Sequence, residues 1–146
     1  MISVTSGSFV GNRAWFSEVV GGSDLVLRHT SALECLELFV GYLNEAQIDV
    51  YAKEQGNYEN IIYNIVDSFD DLDIVNIWDI RCTSVNQTIN DMLSDFDNID
   101  EQSLVEALNT FYFRNGDSFD RLEISPENQP IFESIRDWAI EYHNEG

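Results

Sequence analysis

The sequence is short of positive charge. Seven Lys and Arg stand against 27 Asp and Glu, a formal net charge of -20 at pH 7. Duplex nucleic acid is a dense line of phosphate, and its binders neutralise that line with Lys and Arg. The deficit therefore argues against direct nucleic-acid binding. Cysteine is scarce too. Cys35 and Cys82 are far apart in the chain and make neither a disulfide framework nor a CxxC metal pair, so reduced, buried thiols are expected. The two histidines, His29 and His143, are isolated. No serine or cysteine is placed with either by a recognisable motif, and there is no P-loop or dinucleotide fingerprint. These absences argue against an enzyme and imply no cofactor. No apolar run is long enough to span a membrane, and the opening MISVTSGSF lacks the charged segment of a signal peptide. A cytoplasmic location without a membrane partner is the expectation.

What is present fits one folded domain. A chain of 146 residues, 44% hydrophobic and 12% aromatic, can bury a core without disulfides or metals. Its mean hydropathy of -0.20 agrees with a water-exposed surface. There is no internal repeat, low-complexity tract or linker.

The patterning predicts an α+β fold: a short, mostly antiparallel sheet of four or five strands packed with about four helices. Arg13–Val20 reads as a short helix ended by Gly21-Gly22, and Leu25–Leu27 as a strand. Ser31-Ala-Leu-Glu34 has the form of a capping box, opening a helix to about Gly41 or Leu43. Ile48, Val50 and Ala52 alternate with polar neighbours, and Ile61 to Val66 is a second β-rich run. With Gln55-Gly56-Asn57 between them, 48–66 reads as a hairpin. A second hairpin, Ile74–Ile77 and Ile80–Cys82, turns at Trp78-Asp79. Ser84-Val-Asn-Gln87 is another capping box, and Val85, Ile89, Met92, Leu93 and Phe96 follow on one helical face. A helix over Glu101–Phe113 closes at Asn115-Gly116. Ser125-Pro126 signals a last helix, whose stripe of Ile131, Ile135, Trp138 and Tyr142 suggests docking through Trp138.

The acidic clusters admit bland readings as well as functional ones. Asp95, Asp97 and Glu106 occupy positions 1, 3 and 12 of an EF-hand spacing. Ile99 and Asp100 fall where a ligand and the obligatory glycine belong, so calcium binding is not expected. A turn capped by Asn98 or Asp100 accounts for the segment instead. Asp67, Asp70, Asp71 and Asp73 could hold a divalent ion in a small hydrolase. They lack an accompanying His, Lys or phosphate loop, and loop aspartates commonly bond local backbone. Trp78, at a hairpin tip, could be an exposed interface anchor or fold back onto the neighbouring helix.

The distribution of charge is more telling. From Glu54 to Glu106 there are thirteen acidic residues and one basic residue, Arg81. Such one-sided charge suits a basic protein partner and speeds its encounter, although solubility alone would also favour it. The candidate partner-binding residues are Asp70, Asp71, Asp73, Trp78, Asp79, Asp95, Asp97, Asp100 and Glu101.

The stretch Thr83-Ser-Val-Asn-Gln-Thr-Ile-Asn-Asp-Met-Leu93, preceded by a hairpin and followed by Glu101-Gln-Ser-Leu-Val-Glu-Ala-Leu108, resembles the C-terminal region of AbiEi-type abortive-infection antitoxins. Ser84, Thr88, Ile89, Asp91, Met92 and Leu93 carry the likeness, over about forty residues. Gln87 stands where that signature usually has arginine. Residues 1–45 are short and not basic, unlike the family's DNA-binding region. The resemblance implies a prokaryotic antitoxin that neutralises a toxin encoded nearby, such as a nucleotidyltransferase or another nucleotide-using enzyme. Acidity alone would equally suit an inhibitor or DNA mimic of the phage counter-defence kind.

Overall fold

The computed structural model describes residues 9–39 and 47–142. Among these residues, five α-helices and five strands form a single α+β domain. They are α1 (Phe9–Val20), β1 (Val26–Leu27), α2 (His29–Cys35), β2 (Ile48–Ala52), β3 (Ile61–Ile65), β4 (Ile74–Ile77), β5 (Ile80–Thr83), α3 (Val85–Ser94), α4 (Glu101–Arg114) and α5 (Gln129–Glu141). The strands form one sheet in the order β3-β2-β1-β5-β4. None of the described helices is long and apolar enough to cross a membrane.

The sheet is mixed rather than mostly antiparallel. β4 and β5 form the expected hairpin, pairing Ile77 with Ile80 and Ile74 with Thr83. β2 and β3 do not. They run parallel, with Ile48 opposite Ile61 and Ala52 opposite Ile65. The Gln55–Asn57 segment does not reverse the strand direction. It belongs to a crossover over residues 53–60 that returns to the start of β2, where Ile48 N–H donates to Asn60 O at 2.7 Å. Parallel neighbours usually need a longer connection. Here the crossover closes on the Tyr63 ring, and Gly56 sits so near its phenol that a Cβ would collide. The two-residue β1 joins the halves, antiparallel to β2 and parallel to β5.

Alternation divides the sheet into two faces. Leu27, Ile48, Val50, Ala52, Ile80 and Cys82 point inward and pack with Phe16 and Val20 of α1 and Ala32 and Cys35 of α2. A second core joins Leu33 of α2 to Ile89, Met92 and Leu93 of α3, Leu104 and Leu108 of α4, and Phe132 and Ile135 of α5. α2 therefore lies between two apolar layers, which is why six of its seven residues are buried.

That helix is shorter than its pattern suggested. Ser31 is not its cap: the hydroxyl instead accepts from Asp49 N–H at 2.9 Å. Arg28 occupies the cap position, and the helix ends at Cys35. Leu38 N–H donates to Leu33 O at 2.9 Å and Glu37 N–H to Glu34 O at 3.2 Å. With Glu37 at φ 65, this is a Schellman end in which glutamate takes the place usual for glycine. The expected extension to Gly41 or Leu43 lies outside the described residues. α5 also differs from its stripe. Phe132, Ile135 and Ala139 dock it, whereas Trp138 is 43% exposed.

Candidate functional site

β3 and β4 occupy opposite edges of the sheet, so residues 66–73, which connect them, cross it as a strap over the outer face. Phe69 pins the strap. Its ring lies 5.0 Å from Lys53 Nζ and 5.8 Å from Arg81 Cζ, both on the outer face. Asp67, Asp70, Asp71 and Asp73 are all exposed along it. The strap ends against α3, where Ser84 N–H donates to Asp73 O and Asp73 N–H donates to Gln87 Oε1.

Gln87, Asp91 and Asp95 stand four residues apart and so share one stripe of α3. Each binds back toward the sheet or its rim. Gln87 reaches Asp73 and donates to Asp91 Oδ1 at 2.8 Å, rather than closing the capping box with Ser84. The Ser84 half of that box does form, accepting Gln87 N–H at 3.2 Å. Tyr51 O–H donates to Asp91 Oδ2 at 2.7 Å. His29 Nε2 lies 3.1 Å from Asp95 Oδ2.

This stripe meets a polar centre that motif reading missed. Arg28 Nη1 donates to Asp49 Oδ1 at 3.0 Å, and its guanidinium lies 4.8 Å from the Tyr51 ring. Asn64 Nδ2 donates to the same Asp49 oxygen at 2.7 Å. His29 is buried at φ 48, with Nε2 2.9 Å from Arg28 Nη2 as well as near Asp95. Arginine can only donate, so Nε2 facing it must offer a lone pair. Facing Asp95 it must carry a proton. The neutral ring serves one partner at a time, and its Nδ1 is buried without a partner among the described residues. Burial first, and then Arg28, lower the His29 pKa, so the contact with Asp95 is no ion pair at neutral pH. Burial, aided by the bond to Asp91, pushes the Tyr51 phenol up to about 12. The available signal was the polar member of each alternating pair, Asp49 and Tyr51, on a strand with apolar residues inside.

The nine sequence candidates separate by what their side chains do. Asp100 caps α4, accepting Gln102 N–H at 3.2 Å and Ser103 O–H at 2.6 Å. Asp95 accepts from Asn98 Nδ2 at 2.8 Å, which with His29 holds its carboxyl below its ordinary value. Asp79 accepts Ser17 O–H at 2.6 Å, and its carbonyl accepts Gly22 N–H at 2.9 Å. Gly21 is required there, because a Cβ would meet the Asp79 carboxylate and Ser17 O. These three carboxylates hold the fold together. Asp70, Asp71, Asp73, Asp97 and Glu101 are exposed, and none has a salt bridge or side-chain hydrogen bond among the described residues.

Trp78 is 58% exposed at the hairpin tip, with Arg13 of α1 5.9 Å from its ring. Its φ of 57 is the left-handed value at which a two-residue hairpin favours glycine. The structure thus places Asp73, Asp95, Asp97, Asp100 and Glu101 along α3 and its exit. Trp78 and Asp79 lie at the other end of the β4–β5 hairpin, beside α1.

The cysteines separated in sequence meet in space. Cys35 and Cys82 are fully buried in the same inner core. Among the described residues, no three His, Cys, Asp or Glu side chains converge as a metal site would require. No protein-family model matches the chain, and no curated protein sequence matches it.

Proposed function

We propose that the protein is an antitoxin-like binding protein without catalytic activity, which neutralises a basic toxin encoded nearby through its acidic outer face. The observation that carries this reading is the strap: Asp67, Asp70, Asp71 and Asp73 stand exposed across a whole sheet, without ion pairs among the described residues. Two of the few cations, Lys53 and Arg81, lie against Phe69. The field outside is left negative, which favours fast capture of a basic surface. Trp78 supplies an apolar anchor at a backbone angle that is costly for a bulky residue. The resemblance of residues 83–108 to AbiEi-type antitoxins supports the same class.

The test is co-expression with the product of the adjacent gene. The expected result is a stable complex whose affinity falls steeply as salt rises. An Asp70→Asn/Asp71→Asn/Asp73→Asn variant should weaken it at least tenfold while melting at the same temperature as the parent. A toxin that stays fully active on co-expression would remove the reading. Displacement of duplex DNA from the partner would instead favour the DNA-mimic alternative.

A further inference from the structure

A cleft of about 650 Å³ opens beneath the β2–β3 crossover. Val19 of α1 and Leu25 form its apolar side, and Tyr58 and Tyr63 its aromatic side. Asp24, from the loop after α1, and Glu54, from the crossover, are both exposed and line it from different segments. Lys53 is the one basic residue in the lining, and its ammonium is turned to the outer face against Phe69. The cleft thus has two carboxylates, aromatic surface and no cation directed into it.

We infer that this cleft receives an arginine side chain from the basic partner, a deepening that rests on the binding reading above. A flat guanidinium can stack on a tyrosine ring while forking onto a carboxylate, and its methylenes suit Val19 and Leu25. A lysine ammonium can sit over a ring too, as Lys53 does on Phe69, but it lacks the planar fork that sets two donors on one carboxylate while the ring is stacked. The cleft is shaped in advance: Tyr58 N–H donates to the Tyr63 phenol oxygen at 3.4 Å, and Gly56 is seated on that ring. A site that need not reorganise binds at lower entropic cost. Its position also suits an interface. The Gly21–Leu25 segment that forms one wall holds the hairpin tip through Gly22 and Asp79. The cleft and Trp78 are therefore neighbours at one end of the sheet.

The test is a titration of the full ¹⁵N-labelled chain with N-acetyl-arginine methylamide, with N-acetyl-lysine methylamide as the comparison. Saturable shifts should centre on Asp24, Gly56 and Tyr58. The lysine compound should bind at least threefold more weakly. An Asp24→Asn/Glu54→Gln variant should lose at least fivefold in affinity for the arginine compound and at least fivefold for the toxin, with its remaining spectrum unchanged. Shifts that fail to saturate, that spread evenly over residues 67–73, or that are equal for the two compounds would overturn the proposal. So would a double variant that binds the toxin as well as the parent, an outcome that leaves the acidic-face reading standing. A parent protein that takes arginine in the cleft but forms no toxin complex would instead end the binding reading.

Discussion

The two faces of the sheet are built from different physics. The inner face is held by apolar burial: Leu27, Ile48, Val50, Ile80 and Cys82 are completely inaccessible. The outer face is held by directed polar contacts, from the Arg28–Asp49 pair and the Tyr51–Asp91 bond to the Phe69 ring between two cations. Burial tolerates many arrangements of similar volume. A polar network fails when one member is removed, because its partner is left buried and unpaired. The inner face therefore sets how stable the domain is. The outer face sets where the strap lies, and so where the free aspartates point.

Truncation of the inner face should have the largest effect. Leu27→Ala should lower unfolding free energy by about 3 kcal/mol, as cavity-forming substitutions do, measured by urea denaturation. On the outer face, Asp49→Ala should cost about 2 kcal/mol by stranding Arg28 and Asn64. Pairing it with Arg28→Met in a double-mutant cycle should recover part of that loss. Additive losses would show that the two faces do not differ in kind.

Glu34 tests the inner side through pH. Burial, and then nearby Cys35, push its carboxyl from 4.5 up to about 8. Between these values the folded protein keeps a proton that the unfolded chain has released, so stability declines as pH rises from about 5 to 8. Glu34→Gln should flatten that decline and raise stability at pH 8 by on the order of 2 kcal/mol, read from melts across the range. Phe69→Ala should cost about 1 kcal/mol and make residues 66–73 the first site of limited proteolysis. The smallest effect belongs to Asp70→Asn/Asp71→Asn, within about 0.5 kcal/mol of the parent. A larger gain or loss there would mean that the strap aspartates take part in folding.

The same division explains what could be read from the sequence. Repeats of apolar residues announce themselves, so the hairpin at Trp78-Asp79, the α3 stripe of Ile89, Met92 and Leu93, and the α+β class were legible. Parallel pairing of β2 and β3 was not, since alternation gives a strand's face but not its direction. The Ser31-x-x-Glu34 spacing misled because tertiary contacts claimed both side chains: Ser31 bonds Asp49, and Glu34 is buried. At the candidate site, the exposed Asp70, Asp71 and Asp73 followed from charge density alone. The structural duties of Asp79, Asp95 and Asp100 did not, because the same residue type serves both purposes. His29 looked isolated because its partners come from positions 28 and 95, one adjacent and one distant.

The strand order also constrains how the chain can assemble. The middle strand, β1, is only Val26–Leu27, and one of its two neighbours is β5, at residues 80–83. During synthesis the N-terminal half emerges with one side of that strand unpaired, and the sheet cannot close until Thr83 has left the ribosome. Closing so long a loop before its contacts can form makes the step slow. Chains ending before β5 should consequently be poorly soluble fragments, exposing a bare sheet edge that invites aggregation.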